Sequence, residues 1–131
     1  MKMQLNHTIV YSHDKVASAK WYEEVFGFEY LKDWQAFSVV KINDELSFDF
    51  MNISESIQEQ HYAFKVDDSD FNRIFKTIKS KNIPYSSEPL AAIERKFDQR
   101  VNHELSLRRI YFLDPSGHLL EIQTDNYDIN S

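Results

Sequence analysis

One recurrence constrains this chain more than any single residue does: the segment order strand, helix, strand, strand, strand runs through the first half and then through the second. In the first half, Leu5, Asn6, His7, Thr8, Ile9, Val10 and Tyr11 form a β-rich run. Ser12, His13 and Asp14 then offer N-cap oxygens to a helix carrying Ala17, Trp21, Tyr22, Val25 and Phe26 on one face, and Gly27 closes it as a left-handed C′ residue. Strand patterns follow at 28–31, 37–42 and 46–51, with Asn43-Asp44 as the turn between the last two. The second half starts with a strand at 62–66 and a helix whose apolar face is Phe71, Ile74, Phe75 and Ile78. Asp67, Asp68 and Asp70 crowd its N-terminus and Lys76, Lys79 and Lys81 its C-terminus, as the helix dipole favours; Asn82 and Pro84 stop it. Strands at 85–87, 109–113 and 119–123 complete the set, the last two joined by the turn Asp114-Pro115-Ser116-Gly117.

The reading is therefore an α+β chain of two βαβββ modules with a repeat near 55–60 residues: one domain over 1–131, an N-terminal module at about 3–55 and a C-terminal module at about 60–125. The stretch 90–107 is long for a connection, and its apolar residues Leu90, Ile93, Phe97, Val101 and Leu105 suit a short amphipathic helix or a lid.

Composition narrows the chemistry. A length of 131 residues, 42% hydrophobic and 27% charged, fits one globular domain. No cysteine is present, which removes disulfides, thiolate metal sites and a Cys nucleophile, and it suits a reducing cytoplasm. Any metal must then be held by nitrogen and oxygen. A net charge of −6 disfavours non-specific nucleic-acid binding, and neither a signal-like N-terminus nor an apolar run near membrane-spanning length is seen, so no membrane partner is expected.

Against that background, His7, His61, Asp49 and Glu121 stand out because all four fall on strand patterns. Imidazole and carboxylate on rigid strands are metal-ligand material. In the second module Tyr62, Phe64 and Val66 share one face and pack on the helix, which leaves His61 and Ala63 on the other. His13 and His118 sit at cap and turn positions and read as surface residues; Trp34, Phe37 and Phe97 read as core, with an aromatic binding groove as the alternative.

Four stretches in order carry a resemblance: Asn6-His7-Thr8-Ile9-Val10; the helix end Trp21-Tyr22-Glu23-Glu24-Val25-Phe26-Gly27-Phe28; His61-Tyr62-Ala63-Phe64-Lys65-Val66; and 110–121, Ile-Tyr-Phe-Leu-Asp-Pro-Ser-Gly-His-Leu-Leu-Glu. Together they resemble the vicinal oxygen chelate superfamily, which includes glyoxalase I, bleomycin-resistance proteins, fosfomycin-resistance transferases and extradiol dioxygenases. The resemblance implies paired βαβββ modules forming a curved mixed-sheet cup. It also implies a divalent metal (nickel, zinc, cobalt, manganese or iron(II)) held by His7, Asp49, His61 and Glu121, and a small substrate with adjacent oxygens.

The leading expectation is a glyoxalase-like lyase or isomerase in which Glu121 or Asp49 moves a proton. Tyr11 replaces the arginine that glyoxalase I carries four positions after its first-strand histidine, so the substrate contact there differs. An iron(II) extradiol dioxygenase is the alternative, with His7, His61 and Glu121 as the facial triad, Tyr111 and Arg109 as donors to an anionic substrate oxygen, and His103 as an outlying pocket histidine. A fosfomycin-type transferase is disfavoured by Ile9, which stands where those proteins use threonine. A metal-free, bleomycin-resistance-like binding protein is disfavoured by the retained ligands. The resemblance further implies a homodimer with two sites.

Overall fold

The computed structural model describes residues 1–104 and 107–124. The chain divides into two compact units, Met1–Gln58 and Glu59–Ser131. The first consists of β1 (His7–Ser12), α1 (Lys15–Phe26), β2 (Glu29–Trp34), β3 (Phe37–Lys41) and β4 (Ser47–Asn52). Its sheet order is β1-β4-β3-β2, with β1 parallel to β4 and the other pairs antiparallel.

Alternation decides which face carries the helix. Val10 and Ser12 of β1, Ser38 and Val40 of β3, and Phe48 and Phe50 of β4 are buried, while His7, Ile9 and Tyr11 are exposed on the opposite face. The Asp14 carboxylate accepts the Ala17 amide and caps α1; Gly27 takes φ 81° and returns its N–H to the Glu23 carbonyl. Ser18, Ala19, Tyr22, Val25 and Phe26 are the buried face, with Tyr22 tilted against Phe50 at 4.9 Å and edge-on to Phe48 at 6.0 Å. Burial of each such side chain stabilises by about 1.5–3 kcal/mol. Ala17 is exposed and Trp21 only partly covered, so the packed stripe is rotated from the expected one. Its edge includes Ser18, whose hydroxyl is neutralised by the Ser12 hydroxyl at 2.6 Å.

β2 runs past the expected 28–31 because a register shift between Tyr30 and Lys32 lets pairing resume through to Trp34. Trp34 ends 51% exposed, contrary to its reading as core, whereas Phe37 is half-buried. The Asn43 side chain accepts the amides of Glu45 and Leu46, which makes the expected turn between β3 and β4.

The second unit contains β5 (His61–Lys65), α2 (Asp68–Ser80), β6 (Tyr85–Ser86), α3 (Pro89–Ile93), β7 (Arg109–Leu113) and β8 (Leu119–Gln123). Its order, β5-β8-β7-β6, repeats that of the first, again with the first strand parallel to the last. Asp67 caps α2 through the Asp70 amide, and Phe71, Ile74 and Ile78 are its buried residues. The Arg108 guanidinium lies 4.3 Å over the Phe71 ring.

Among the described residues of the long stretch, α-helix is confined to α3, Pro89–Ile93, where Leu90 and Ile93 are exposed. The expected amphipathic helix fails because the following residues are stapled to β6 instead. Gln99 exchanges bonds with Tyr85, Asp98 accepts from the Ser87 amide and hydroxyl, and Arg95 and Gln99 both take φ 57°. Phe97 packs beside Ala92, Tyr111 and Leu119, as its core reading required, and Leu105 lies outside the described residues. The 114–117 turn forms with the Gly117 amide on the Asp114 carbonyl at 3.0 Å. His118 is 1% exposed, which corrects its reading as a surface residue: its Nδ1 accepts the Gln60 amide at 3.0 Å. No helix among the described residues is long and apolar enough to cross a membrane.

Candidate functional site

The second unit brings four of the expected site residues, His61, Arg109, Tyr111 and Glu121, to the face opposite α2. β5 is in register with β8 so that Ala63 faces Glu121, and β8 with β7 so that Glu121 faces Tyr111. His61, two residues before Ala63 on the same face, reaches across to place Nε2 3.1 Å from Glu121 Oε1. Its ring lies 6.4 Å from that of Tyr111. The Glu121 carboxylate is 10% exposed and the imidazole 46%. A buried carboxylate with a reachable imidazole is the arrangement a metal entering from the open side needs.

The donor set fits a divalent ion. Two N/O donors each about 2.1 Å from a shared ion, at a right angle, stand about 3 Å apart, close to the separation of His61 and Glu121. Among the described residues no group of three or more His, Asp or Glu side chains is gathered for a metal, so His61 and Glu121 by themselves would supply only two donors.

Tyr111 is buried and its phenol is pushed above its ordinary value, first by burial and then by the Glu121 charge, with Arg109 opposing both. It therefore stays a neutral donor at neutral pH. Arg109 lies on the same face, its Nε–H donating to Gln123 Oε1 at 3.2 Å. Ala63, Arg109, Glu121 and Gln123 line an open-sided hollow of about 300 Å³. Ala63, lacking a side chain beyond Cβ, leaves that space.

In the first unit, His7 lies on the exposed face of β1, its Nδ1 2.8 Å from Asn6 Oδ1. Asp49 is half-buried on β4 and accepts the Ser47 hydroxyl at 2.8 Å. Their registers repeat those of the second unit: Ile9, two after His7, faces Asp49, as Ala63, two after His61, faces Glu121. Asp49 is thus the positional counterpart of Glu121, and Val39 that of Tyr111. Tyr11 shares the His7 face and is exposed. His103 is exposed on the segment just beyond the Asn102–Arg109 bridge. Gln123 and Lys65, two positions on from Glu121 and Ala63, were missed by sequence reasoning; strand period alone puts them on this face.

Two units of order βαβββ, each with its first strand parallel to its last, define the vicinal oxygen chelate fold. Residues 4–122 match the Glyoxalase/Bleomycin resistance protein/Dioxygenase superfamily, and the chain belongs to it. Among solved structures it is similar to "Oxidase ChaP-H2", at 37% identity and a TM-score of 0.89 over 100% of both chains. It is also similar to "Oxidase ChaP-H1", at 36% identity and 0.86, covering 95% of this chain and 98% of that one. A lactoylglutathione lyase from Agrobacterium tumefaciens shares the fold at 16% identity and a TM-score of 0.67, over 91% of each chain. No curated protein matches the chain in sequence.

Proposed function

We propose that this protein is a cytoplasmic, divalent-metal-dependent enzyme that oxidises a small molecule bearing adjacent oxygens, with iron(II) as its metal. The observation that carries the reading is the buried Tyr111 set directly opposite Glu121 on the face where His61 meets that carboxylate. Similarity above 35% to two oxidases over nearly the whole chain supports the same choice. In this reading the ligands are two imidazoles and one carboxylate, those of His61, His7 and Glu121. When bound, the ion supplies Lewis-acid polarisation of neighbouring substrate oxygens and, as iron(II), redox chemistry with dioxygen. The chain's own part is positional. Tyr111, held protonated, donates a hydrogen bond to a substrate oxygen that becomes anionic, with the Glu121 side chain directly opposite it on β8.

A second reading, glyoxalase-like proton transfer, is favoured by Asp49 at the position equivalent to Glu121. There Asp49 completes a four-ligand set with His7, His61 and Glu121, and a carboxylate not engaged by the ion moves the proton. In both readings two chains pair as a homodimer, and the substrate is a small molecule rather than a nucleic acid or a membrane.

Anaerobic loading with iron(II), followed by oxygen-uptake measurements on a panel of catechols and hydroxyquinones, tests the choice. Substrate-dependent oxygen consumption is expected, together with loss of both bound metal and turnover in His61→Ala. A nickel- or zinc-loaded protein that isomerises a hemithioacetal, while the iron form consumes no oxygen, would sink the oxidase reading in favour of the second.

A further inference from the structure

One row of side chains beyond the Glu121–Tyr111 row, the same face of the second unit carries Lys65, Gln123 and Arg109 side by side on three adjacent strands. Same-face residues on a strand stand about 7 Å apart, so this row lies one pleat repeat from the carboxylate. Arg109 and Gln123 line the 300 Å³ hollow together with Glu121. Arg109 is only half-exposed, and its Nε–H is taken by Gln123, which fixes the plane of the guanidinium. Beyond its bond toward Tyr111, the terminal nitrogens have no ion-pair partner among the described residues. Lys65, exposed on the edge strand, has none among them either.

The fold does not require this row to be basic. Its counterpart in the first unit, by the same register, is Tyr11, Met51 and Phe37, which carries no charge. In a chain of net charge −6, Lys65 and Arg109 flank the neutral Gln123 from its two neighbouring strands, and Glu121 is the carboxylate that lines the hollow one row away.

We infer that the substrate carries a carboxylate, seated on Arg109 and Lys65 about one pleat repeat from the oxygens bound at His61 and Glu121. A planar, pre-oriented guanidinium takes a carboxylate through parallel hydrogen bonds; Lys65 adds a mobile point charge, and Gln123 holds the arginine in place. The substrate class is then a small acid with vicinal oxygens at its other end, such as a dihydroxylated aromatic acid. This inference rests on the oxidase reading for the role of His61 and Glu121, but not for the anion row itself.

The two parts are separated by two measurements on the full chain. In metal-free protein carrying ¹⁵N-arginine, benzoate is titrated while the Arg109 Nε–H resonance is followed. A saturable shift is expected, absent with the neutral benzamide and severalfold weaker in Lys65→Met. No shift, or an equal shift with benzamide, overturns the inference. In cobalt(II)-loaded protein, 3,4-dihydroxybenzoate is expected to bind about tenfold tighter than catechol, with the preference falling to about one in Arg109→Met. Equal affinities in the wild type overturn the inference as well. Failure to take up cobalt(II) instead overturns the metal reading of His61 and Glu121, and the benzoate titration then decides the anion row on its own.

Discussion

His118 is used as a structural acceptor: its Nδ1 takes the amide of Gln60, the residue immediately before His61 of β5. His118→Leu keeps roughly the volume but leaves that amide without its partner, at a cost of about 1–3 kcal/mol. Urea unfolding should show a lower midpoint with an unchanged slope. Asp98 offers a pH-dependent counterpart. Partial burial pushes its carboxyl up, but the hydroxyl and amide of Ser87, with the amide and charge of Arg100, outweigh that and leave it below the usual carboxylate range. A depressed folded value means its contribution is present above the unfolded value of about 3.9 and is lost as pH falls through the folded one. The stability gap between wild type and Asp98→Asn should therefore be flat at neutral pH and narrow below about pH 4, read from urea midpoints across that range. The face that His61 takes was legible in the sequence because a period of two separates it and Ala63 from Tyr62, Phe64 and Val66, whereas Glu121 and Asp49 were singled out by the family resemblance. His118 was not, because its burial depends on a partner 58 residues away in sequence.

Elements were legible where they announce their own ends. Asp14 and Gly27 bracket α1, and Asp67 opens α2, as the residue types alone suggest. Asp14→Ala should cost about 1 kcal/mol by leaving the Ala17 amide without its acceptor, measurable as a lower thermal midpoint. Gly117, at φ 90°, holds the turn between β7 and β8; an added Cβ would stand 3.2 Å from Glu59 Oε1. Gly117→Ala should cost about 1–2 kcal/mol in backbone strain and loosen the Glu59–Arg95 ion pair, with the loss again read by urea unfolding. The extension of β2 to Trp34 and the shortness of α3 escaped the sequence for a shared reason. Both are set by partners elsewhere, the pairing with β3 in one case and the hydrogen bonds from 98–99 to β6 in the other.

For the whole molecule, the element order alone was enough to reach two βαβββ units, because the order repeats even where residue identities do not. The homodimer proposed above is a claim at this scale. Sedimentation velocity should show a dimer that persists on dilution; a monomer at all concentrations would contradict it. The shared register of the two sheets has one more consequence. Along the three strands that carry the candidate site, each residue of β5, β8 and β7 has a sibling at the matching register position on β1, β4 and β3. His61 and His7 have stayed alike, Glu121 and Asp49 have kept their charge, and Tyr111 has parted from Val39, as Lys65 and Arg109 have from Tyr11 and Phe37. The places where the siblings differ are where two sheets of one register present different chemistry.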